Sequence, residues 1–482
     1  MQEFLQEPVL NQARNTSTSP VEDESDELYA VRKKIQPRSV SGIFARLRVW
    51  GVVLTQLVYF GLPWLTWNDR PAVLFDLLTR RFYIFGTVFF PQDFIYLTGL
   101  LIISALGLFL FTAVAGRIWC GYACPQTVYT ELFMWIEQFI EGDRQKRIKL
   151  DKAEWGRRKV FLKTAKHTIW IALALWTGFT FVGYFTPIRE LAVLFVSFGM
   201  GPWETFWVFF YAFATYGNAA WMREQVCLYM CPYARFQSVM FDPDTLIITY
   251  DEQRGEPRGP RRKGSDYRAG GKGACVDCGI CVQVCPTGID IRKGLQYECI
   301  GCAACIDGCN QVMDKMNYPR GLIRYSTENV MLGKFSERTM LAHVFRPRVL
   351  VYAAILVAIT VALGAALYLR TPLKANIMRD RMTLVREADD GLLENVYHMQ
   401  IINMDEKPHR YILTASGLEG LKVVTGEAQP LEVHAAESHT ISISLRVDPN
   451  DVKPGSTPVY IQVQDVDNPA FSVSEKTSFI VR

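Results

Sequence analysis

Cysteine is the residue type whose spacing in this chain points most directly to chemistry. Eight of the twelve cysteines lie within residues 275–309, in two runs that each read C-x2-C-x2-C-x3-C. Three thiolates in one tight loop can face a single inorganic centre from several sides. Small neighbours (Gly279, Gly301 and Ala303) let the backbone approach sulfur closely. The pattern predicts two metal centres.

This spacing is that of two-cluster ferredoxins, in which three cysteines of one run and the fourth of the other hold each [4Fe-4S] cluster. One predicted cluster is held by Cys275, Cys278, Cys281 and Cys309. The other is held by Cys299, Cys302, Cys305 and Cys285. Asn310 stands where the first run has Pro286, a change that alters a turn and removes no ligand.

Zinc and disulfides are the alternatives for these runs. A zinc site needs four ligands in two C-x2-C pairs and has no use for a third and fourth cysteine in each run. Disulfides need an oxidising compartment. Two iron–sulfur clusters therefore explain the tandem pattern best.

The other four cysteines form two matching C-x3-C-P boxes. The first box contains Cys120 and Cys124, and the second contains Cys227 and Cys231. On a helix, residues four apart share a face, and the following proline tends to end the helix. Thiolate pairs select Cu(I), zinc or iron–sulfur species, so the boxes are candidate redox or copper sites. Structural burial and disulfides are the alternatives.

Composition indicates an α-helical membrane protein that carries soluble modules. Half of the residues are hydrophobic, 21% are charged and the net charge is +4, which gives no reason to expect a nucleic-acid partner. Five segments are apolar and long enough to span a bilayer. They are residues 49–67, 94–115, 167–185, 202–220 and 349–369.

The basic residues predict the orientation. Lysine and arginine are concentrated in residues 117–166 and 254–272, which the positive-inside rule places in the cytoplasm. With five spans, the N-terminus and the ferredoxin module are cytoplasmic and the C-terminal domain is periplasmic. No secretory signal peptide is expected, because the first forty residues are polar and acidic.

The C-terminal region reads as an all-β domain. Seven short runs rich in β-formers, separated by turn residues, predict an Ig-like sandwich. These runs are residues 382–387, 396–403, 411–415, 421–425, 439–447, 459–466 and 477–481. His398, His409, His434 and His439 also lie here, and scattered surface histidines explain them better than a copper site does.

The predicted domains follow in chain order. They are a disordered acidic tail (1–40), a membrane domain with both boxes (41–250), a two-cluster ferredoxin-like α+β domain (251–330), the last transmembrane helix (345–370) and the Ig-like domain (371–482).

Together these parts resemble the FixG/CcoG family of bacterial cytochrome c oxidase accessory proteins. The resemblance spans almost the full length after the acidic tail. The segments that carry it are W-C-G-Y-A-C-P at 119–125, C-L-Y-M-C-P at 227–232, G-I-D-I-R at 288–292, Y-E-C-I-G-C at 297–302 and P-R-G-L-I-R-Y at 319–325.

The resemblance implies an inner-membrane protein that reduces Cu(II) to Cu(I) during assembly of a cbb-type oxidase. It implies oxidase assembly factors and copper chaperones or transporters as partners. The electron donor is not named by the sequence, and a homodimer is left open. The membrane part also resembles the NapH family of quinol dehydrogenase subunits, which lacks an Ig-like domain. A redox-inert assembly scaffold is the third alternative.

Overall fold

The computed structural model describes residues 34–266, 271–336, 339–340, 342–380, 385–388 and 391–481. Most of the predicted acidic tail lies outside the described residues, as does the start of the β-run predicted at residue 382. Within the described part, the chain forms a helical region, a small ferredoxin-like domain and a β-sandwich.

The predicted membrane region is helical, and most of the cysteines lie in helices or next to helix ends. In chain order they are α1 (Ile43–Gly61), α2 (Phe94–Ala115), α3 (Ile118–Tyr122), α4 (Pro125–Glu141), α5 (Arg144–Lys152), α6 (Arg157–Val182), α7 (Ile188–Val196), α8 (Pro202–Tyr216), α9 (Pro232–Met240), α10 (Glu252–Gly255), α11 (Ile280–Gln283), α12 (Ala304–Met316), α13 (Glu328–Met331) and α14 (Pro347–Tyr368). Two π-helical segments, Gly217–Met222 and Val226–Met230, lie between α8 and α9.

Three helical segments are long and apolar enough to cross a membrane: Ile43–Trp64, Pro91–Ala115 and Pro347–Tyr368. They match three of the five predicted spans and indicate membrane association. The other two predicted spans fall on α6, whose first half is basic, and on α8, which has 15 residues. At about 1.5 Å per residue, α8 alone is shorter than a bilayer core of roughly 30 Å. Those two spans stay predictions.

Helices α2 and α14 form an antiparallel pair that separates two ends of the molecule. At one end, Arg346 donates to the carbonyl oxygen of Ala113 over 2.5 Å. At the other end, Arg370 pairs with the buried carboxylate of Asp93 at 2.6 Å, and Lys374 binds the same carboxylate. The ferredoxin-like domain lies at the first end and the β-sandwich follows the second.

The ferredoxin-like domain docks onto the start of α1. Its two-stranded antiparallel sheet joins β6 (Ile247–Tyr250) to β7 (Ile323–Ser326). In α12, the buried side chain of Asp307 accepts a hydrogen bond from the backbone N–H of Ala45, at 2.7 Å. The first N–H groups of a helix have no intrahelical acceptor, so this carboxylate from another domain caps α1.

The C-terminal domain is a sandwich of two antiparallel sheets, as predicted. Its strands are β8 (Leu373–Arg379), β9 (Arg386–Glu387), β10 (Leu393–Asn403), β11 (His409–Ser416), β12 (Lys422–Thr425), β13 (Leu431–Val433), β14 (Ser438–Val447), β15 (Gly455–Asp465) and β16 (Ser472–Val481). One sheet has the order β12-β14-β10-β8, with β9 at the end of β10, and the other has the order β13-β11-β15-β16. None of the predicted runs covers β8 or β13.

The connection between α1 and α2 also forms strands, which the sequence analysis did not predict. They are β1 (Thr66–Trp67), β2 (Arg70–Pro71), β3 (Val73–Asp76), β4 (Arg81–Ile84) and β5 (Thr87–Phe89). Val88 and Phe90 pack with Ile402, Met404 and Ala436 of the sandwich in one small apolar core. This connection therefore holds the sandwich against the end of α2.

A buried ion network joins α4, α5, α6 and the segment before the second box. Glu137 binds Arg147 at 3.1 Å, Arg223 at 2.9 Å and Lys166 at 3.4 Å. Burial alone would raise the pKa of Glu137, but the three cations together lower it to about 2. The ionised carboxylate of Glu137 thus links α4, the helix that follows the first box, to the segment that leads into the second box.

We expect Glu137→Gln to lower the free energy of unfolding by ~3–5 kcal/mol, the typical cost of removing one partner from a buried ion cluster. Thermal unfolding in detergent measures this, with the exposed Glu154→Gln as the control. Because the folded-state pKa of Glu137 is depressed, its contribution is present near neutral pH. It is lost as pH falls from about 4.5 towards 2. Equal melting temperatures for the two variants would contradict this role.

Candidate iron–sulfur and thiol site

The structure places each predicted set of four cluster cysteines around its own cavity. Cys275, Cys278, Cys281 and Cys309 line one cavity, together with Ile280, Leu322 and Ile323 among others. Cys285, Cys299, Cys302 and Cys305 line the second, with Cys281 at the edge between the two. The interleaved pairing expected from the spacing is thus the one that the fold brings together.

The backbone around each second cysteine explains how three thiols of one run face the same side. Asp277 and Gly279 flank Cys278 with φ of 52° and 63°, and Gly301 and Ala303 flank Cys302 with φ of 69° and 59°. Left-handed φ values reverse the chain direction locally, and they are unusual for residues with a Cβ atom. The two runs therefore share one turn geometry, repeated once in each half of the domain.

The cavities suit iron–sulfur clusters in their chemistry as well as their donor sets. Burial raises the pKa of Cys281 to about 11 and that of Cys309 to about 12. Free thiols there stay protonated near neutral pH, so a bound cationic centre is needed to hold them as thiolates. The apolar walls exclude water. This favours a cluster, whose charge is delocalised, over a hydrated metal ion.

The two cavities differ in what lies next to them. At the first site Cys278 is exposed and the other three cysteines are buried, whereas at the second site Cys302 is buried under the helical region and the other three cysteines are partly exposed. The first site therefore presents an edge to solvent, and the second faces the membrane domain.

Asn310, the departure from the usual proline, has a structural partner. Its side-chain oxygen accepts a hydrogen bond from the backbone N–H of Gly321 at 3.0 Å. This bond links α12 to the loop before β7. A side-chain hydrogen bond of Asn310 thus takes the place of the rigid proline ring found at Pro286 in the first run.

Both C-x3-C-P boxes place their cysteines at helix boundaries. Cys120 lies in α3, while Cys124 has an extended backbone and is followed by Pro125 at the start of α4. Cys227 lies in the second π-helical segment, and Cys231 immediately precedes α9. The prolines end the preceding helix as predicted, but the cysteines of a box do not share one continuous helix face. The prediction of a shared face was wrong in this respect, because the chain leaves the helix before the second cysteine.

The two boxes converge on each other. Gln126 of the first box donates to the carbonyl oxygens of Asn218 and Arg223, each at 3.0 Å. The thiol of Cys120 lies 3.4 Å from the side-chain oxygen of Gln237, a fully buried residue that follows the second box. Arg117 also donates to the carbonyl oxygen of Ala234.

The four box thiols are close enough to influence one another electrostatically. Burial raises the pKa of Cys120 to about 11, and Cys124 and Cys231 add to the rise. Burial likewise raises the pKa of Cys227 to about 12, with contributions from the other three thiols. Such thiols stay protonated near neutral pH unless a metal ion binds to sulfur and displaces the proton.

The box thiols do not form a ready-made site for one shared ion. No group of three or more His, Cys, Asp or Glu side chains in the described residues is arranged to hold a metal ion. The eight ferredoxin cysteines are likewise not grouped around one point. In a cluster each thiolate binds a different iron atom, so the ligands need not converge on a single ion.

The first box is in direct contact with the second cluster site. A Cβ atom on Gly121 would lie 2.9 Å from the Cα and N atoms of Cys302. Cys120 and Cys227 pack against a buried apolar group formed by Val284, Ile300, Cys302 and Ala304. The box thiols and the second set of ferredoxin cysteines thus belong to one continuous region.

The C-terminal histidines are dispersed. His409 binds Asp465 at 2.5 Å and Asp405 at 3.1 Å, His439 binds Glu427, and His398 binds Ser442. These contacts agree with the interpretation that they are scattered histidines of a β-domain.

Arg48 is a site residue that was not predicted from the sequence. The structure places it inside α1 and buries it, with its Nη1 donating to the carbonyl oxygen of Cys302 at 3.4 Å. An arginine at the sixth position of a helix, where its apolar stretch begins, is itself an indication of a specific partner.

Three family models match the chain. A "4Fe-4S dicluster domain" covers residues 222–328, a "4Fe-4S binding domain" covers residues 97–150, and an "IG-like fold at C-terminal of FixG" covers residues 363–482. The first includes the second box and all eight ferredoxin cysteines, and the second includes the first box. These matches indicate an iron–sulfur protein.

Relatives match over most of their length. Protein RdxB of Cereibacter sphaeroides is 40% identical over 88% of this chain and 89% of its own. Nitrogen fixation protein FixG of Rhizobium meliloti is 38% identical over 83% of each chain. A crystal structure of a FixG-related protein from Vibrio parahaemolyticus is 25% identical, covers 23% of this chain and 97% of that chain, and has a TM-score of 0.21. The identity with RdxB and FixG and the matched C-terminal domain show that the chain belongs to the FixG/CcoG family of 4Fe-4S electron-transfer proteins.

Proposed function

We propose that this protein reduces Cu(II) to Cu(I) at the four box cysteines, and that the copper serves assembly of a cbb-type cytochrome c oxidase. The observation that carries the proposal is the contact between the boxes and the second cluster site, where Gly121 lies against Cys302. A one-electron carrier therefore lies beside a group of soft-metal ligands. Copper is the substrate, and an external one-electron donor supplies one electron for each Cu(II) ion reduced.

Cluster ligation is the first part of the proposal. Cys275, Cys278, Cys281 and Cys309 would hold one cluster, and Cys285, Cys299, Cys302 and Cys305 the other. When bound, the clusters supply one-electron transfer at low potential. The chain's own contribution is to enclose both sites in apolar walls and to leave an edge of the first site at the surface, where a donor protein can approach.

Copper handling is the second part. Cys120, Cys124, Cys227 and Cys231 would bind the ion, and thiolates favour the product Cu(I) over Cu(II). The raised pKa values of Cys120 and Cys227 keep these two thiols protonated until a metal ion binds, so binding releases protons. Each box supplies one pair of thiols and the two boxes converge, which suits transfer of the ion from one pair to the other.

Orientation across the inner membrane is the third part. The ferredoxin-like domain and the β-sandwich lie at opposite ends of the α2–α14 pair. The basic segments at 144–159 and 254–266 lie at the ferredoxin end, which the positive-inside rule assigns to the cytoplasm. We place the β-sandwich in the periplasm.

Replacing all four box cysteines by alanine is expected to abolish cupric reduction and to leave two clusters per chain. Cu(I) formation is followed with a cuprous chelator, and iron and sulfide are analysed in the same sample. A variant with His398 and His439 replaced by alanine is the matched control and should keep wild-type activity. Undiminished reduction by the four-cysteine variant would refute the assignment.

Gly121→Val is expected to slow cupric reduction at least tenfold without loss of iron. The added side chain must separate the first box from the Cys302 loop, since even a Cβ atom lies 2.9 Å from backbone atoms there. Gly107→Val in α2, where no atom lies within 4 Å of an added Cβ, is the control. A wild-type rate with intact clusters would mean that this contact has no part in electron delivery.

Protease sites inserted at the exposed residues Gly264 and Gly426 test the orientation. We expect cleavage at Gly426 in intact spheroplasts and cleavage at Gly264 only after lysis. The reverse pattern would overturn the topology, and with it the cytoplasmic placement of the clusters.

A further inference from the structure

Helix α9, which follows the second box, packs alongside the last turns of α2. The hydroxyl of Tyr233 donates to the carbonyl oxygen of Leu108 at 3.3 Å. One turn later in both helices, the side chain of Gln237 donates to the hydroxyl of Thr112 at 3.4 Å. At about 1.5 Å per residue, Leu108 lies roughly 10 Å before Ala115, the last residue of α2. Helix α9 therefore begins well before α2 ends.

A layer of charged side chains marks where α9 ends. Asp242, two residues after α9, pairs at 3.0 Å with Arg346, which directly precedes α14. Arg346 also donates to the carbonyl oxygen of Ala113 in α2. Charged side chains collect at the boundary between hydrocarbon and water, because they are costly inside the hydrocarbon. Leu108 lies five residues, or roughly 7 Å, on the apolar side of this layer.

The side of α9 that faces away from α2 is apolar and exposed. Ala234 and Gln237 are buried, whereas Phe236 has 65% of its surface exposed and Val239 has 85%. Further exposed apolar residues next to the box cysteines in the chain are Trp119, Tyr229 and Met230. Large apolar side chains that are exposed together indicate contact with a membrane or another protein.

Helix α2 indicates which of these covers α9. Phe109 and Phe111 lie on α2 in the same turns that α9 contacts, and both are exposed. Helix α2 belongs to a segment long and apolar enough to cross a membrane. A bilayer that covers Phe109 and Phe111 also surrounds the neighbouring α9, because both helices meet the same charged layer.

The backbone break between the second box and α9 suits a region without water. The N–H of Cys231 donates to the carbonyl oxygen of Val226 at 2.8 Å, and Pro232 has no N–H group. Neither residue therefore leaves an unpaired donor, which hydrocarbon would not tolerate. Arg235, the one charged residue in the sequence of α9, lies beside the apolar side chains, where a long side chain can extend towards lipid headgroups.

We propose that α9 and residues 229–231 lie within the bilayer leaflet nearest the ferredoxin-like domain, with lipid acyl chains against Phe236 and Val239. Helix α9 has nine residues and is too short to span a bilayer, so it is a membrane-embedded segment that returns to the same side. The second box then lies inside the leaflet, and lipid shields its outer side from water.

This proposal depends on α2 crossing the membrane and does not depend on copper as the substrate. It also holds for either orientation of the protein, because it concerns only the leaflet nearest the ferredoxin-like domain.

Photo-crosslinking of the full-length protein in its native membrane tests the proposal. The photoreactive residue p-benzoylphenylalanine replaces Phe236 or Val239, and adducts are identified by mass spectrometry after illumination. The same replacement of Phe111 in α2 is the positive control, and that of Tyr460, an exposed residue of β15, is the negative control. We expect lipid adducts at residues 236 and 239 in yields at least about tenfold above that at residue 460.

Two positions are used so that the result does not depend on one variant, and an unchanged iron content shows that each variant is folded. Adducts at residues 236 and 239 with another protein, or with a second copy of this chain, would overturn the proposal. Lipid adducts at residue 111 without any at residues 236 and 239 would also overturn it. Copper reduction is not part of this readout, so its failure leaves the result standing.

Discussion

The absence of a side chain at residue 121 is the constraint on which the rest of the site depends. A Cβ atom there would lie 2.9 Å from the backbone of Cys302, so only glycine lets the first box rest on the second cluster loop. Electron transfer falls off steeply with distance, and backbone-to-backbone contact is the closest approach that two domains can make. At this approach Cys120 and Cys227 pack beside Cys302, and Arg117 joins the first box to Ala234 after the second.

The helical region holds the two boxes in one fixed arrangement at this contact. Each box follows an apolar helix and precedes a helix that begins with proline, so the two halves repeat one arrangement. The halves are joined by polar side chains: Gln126 binds the carbonyl oxygens of Asn218 and Arg223, and Glu137 binds Arg223 from the opposite side. Buried polar contacts of this kind need defined partners, and they specify one packing of the two boxes more strictly than apolar contacts would.

Features encoded by residues close together in the chain could be predicted from the sequence, whereas features that depend on distant residues could not. The ferredoxin ligands were predicted as two interleaved sets because cysteine spacing encodes them, and the structure groups them around two cavities in that way. The convergence of the boxes was not predicted, since Cys120 and Cys227 are more than a hundred residues apart. Strands β8 and β13 were missed because they are short or adjoin the membrane helix, and β1–β5 were not predicted. Arg48 was not predicted as a site residue because topology signals and buried charges use the same residue type.

The cap on α1 couples that helix to the first cluster site. Asp307 and Cys309 lie within one turn of α12, and Asp307 accepts a hydrogen bond from the backbone N–H of Ala45 in the first turn of α1. Any shift of α12 as Cys309 takes up its metal centre would therefore also move the carboxylate that caps α1.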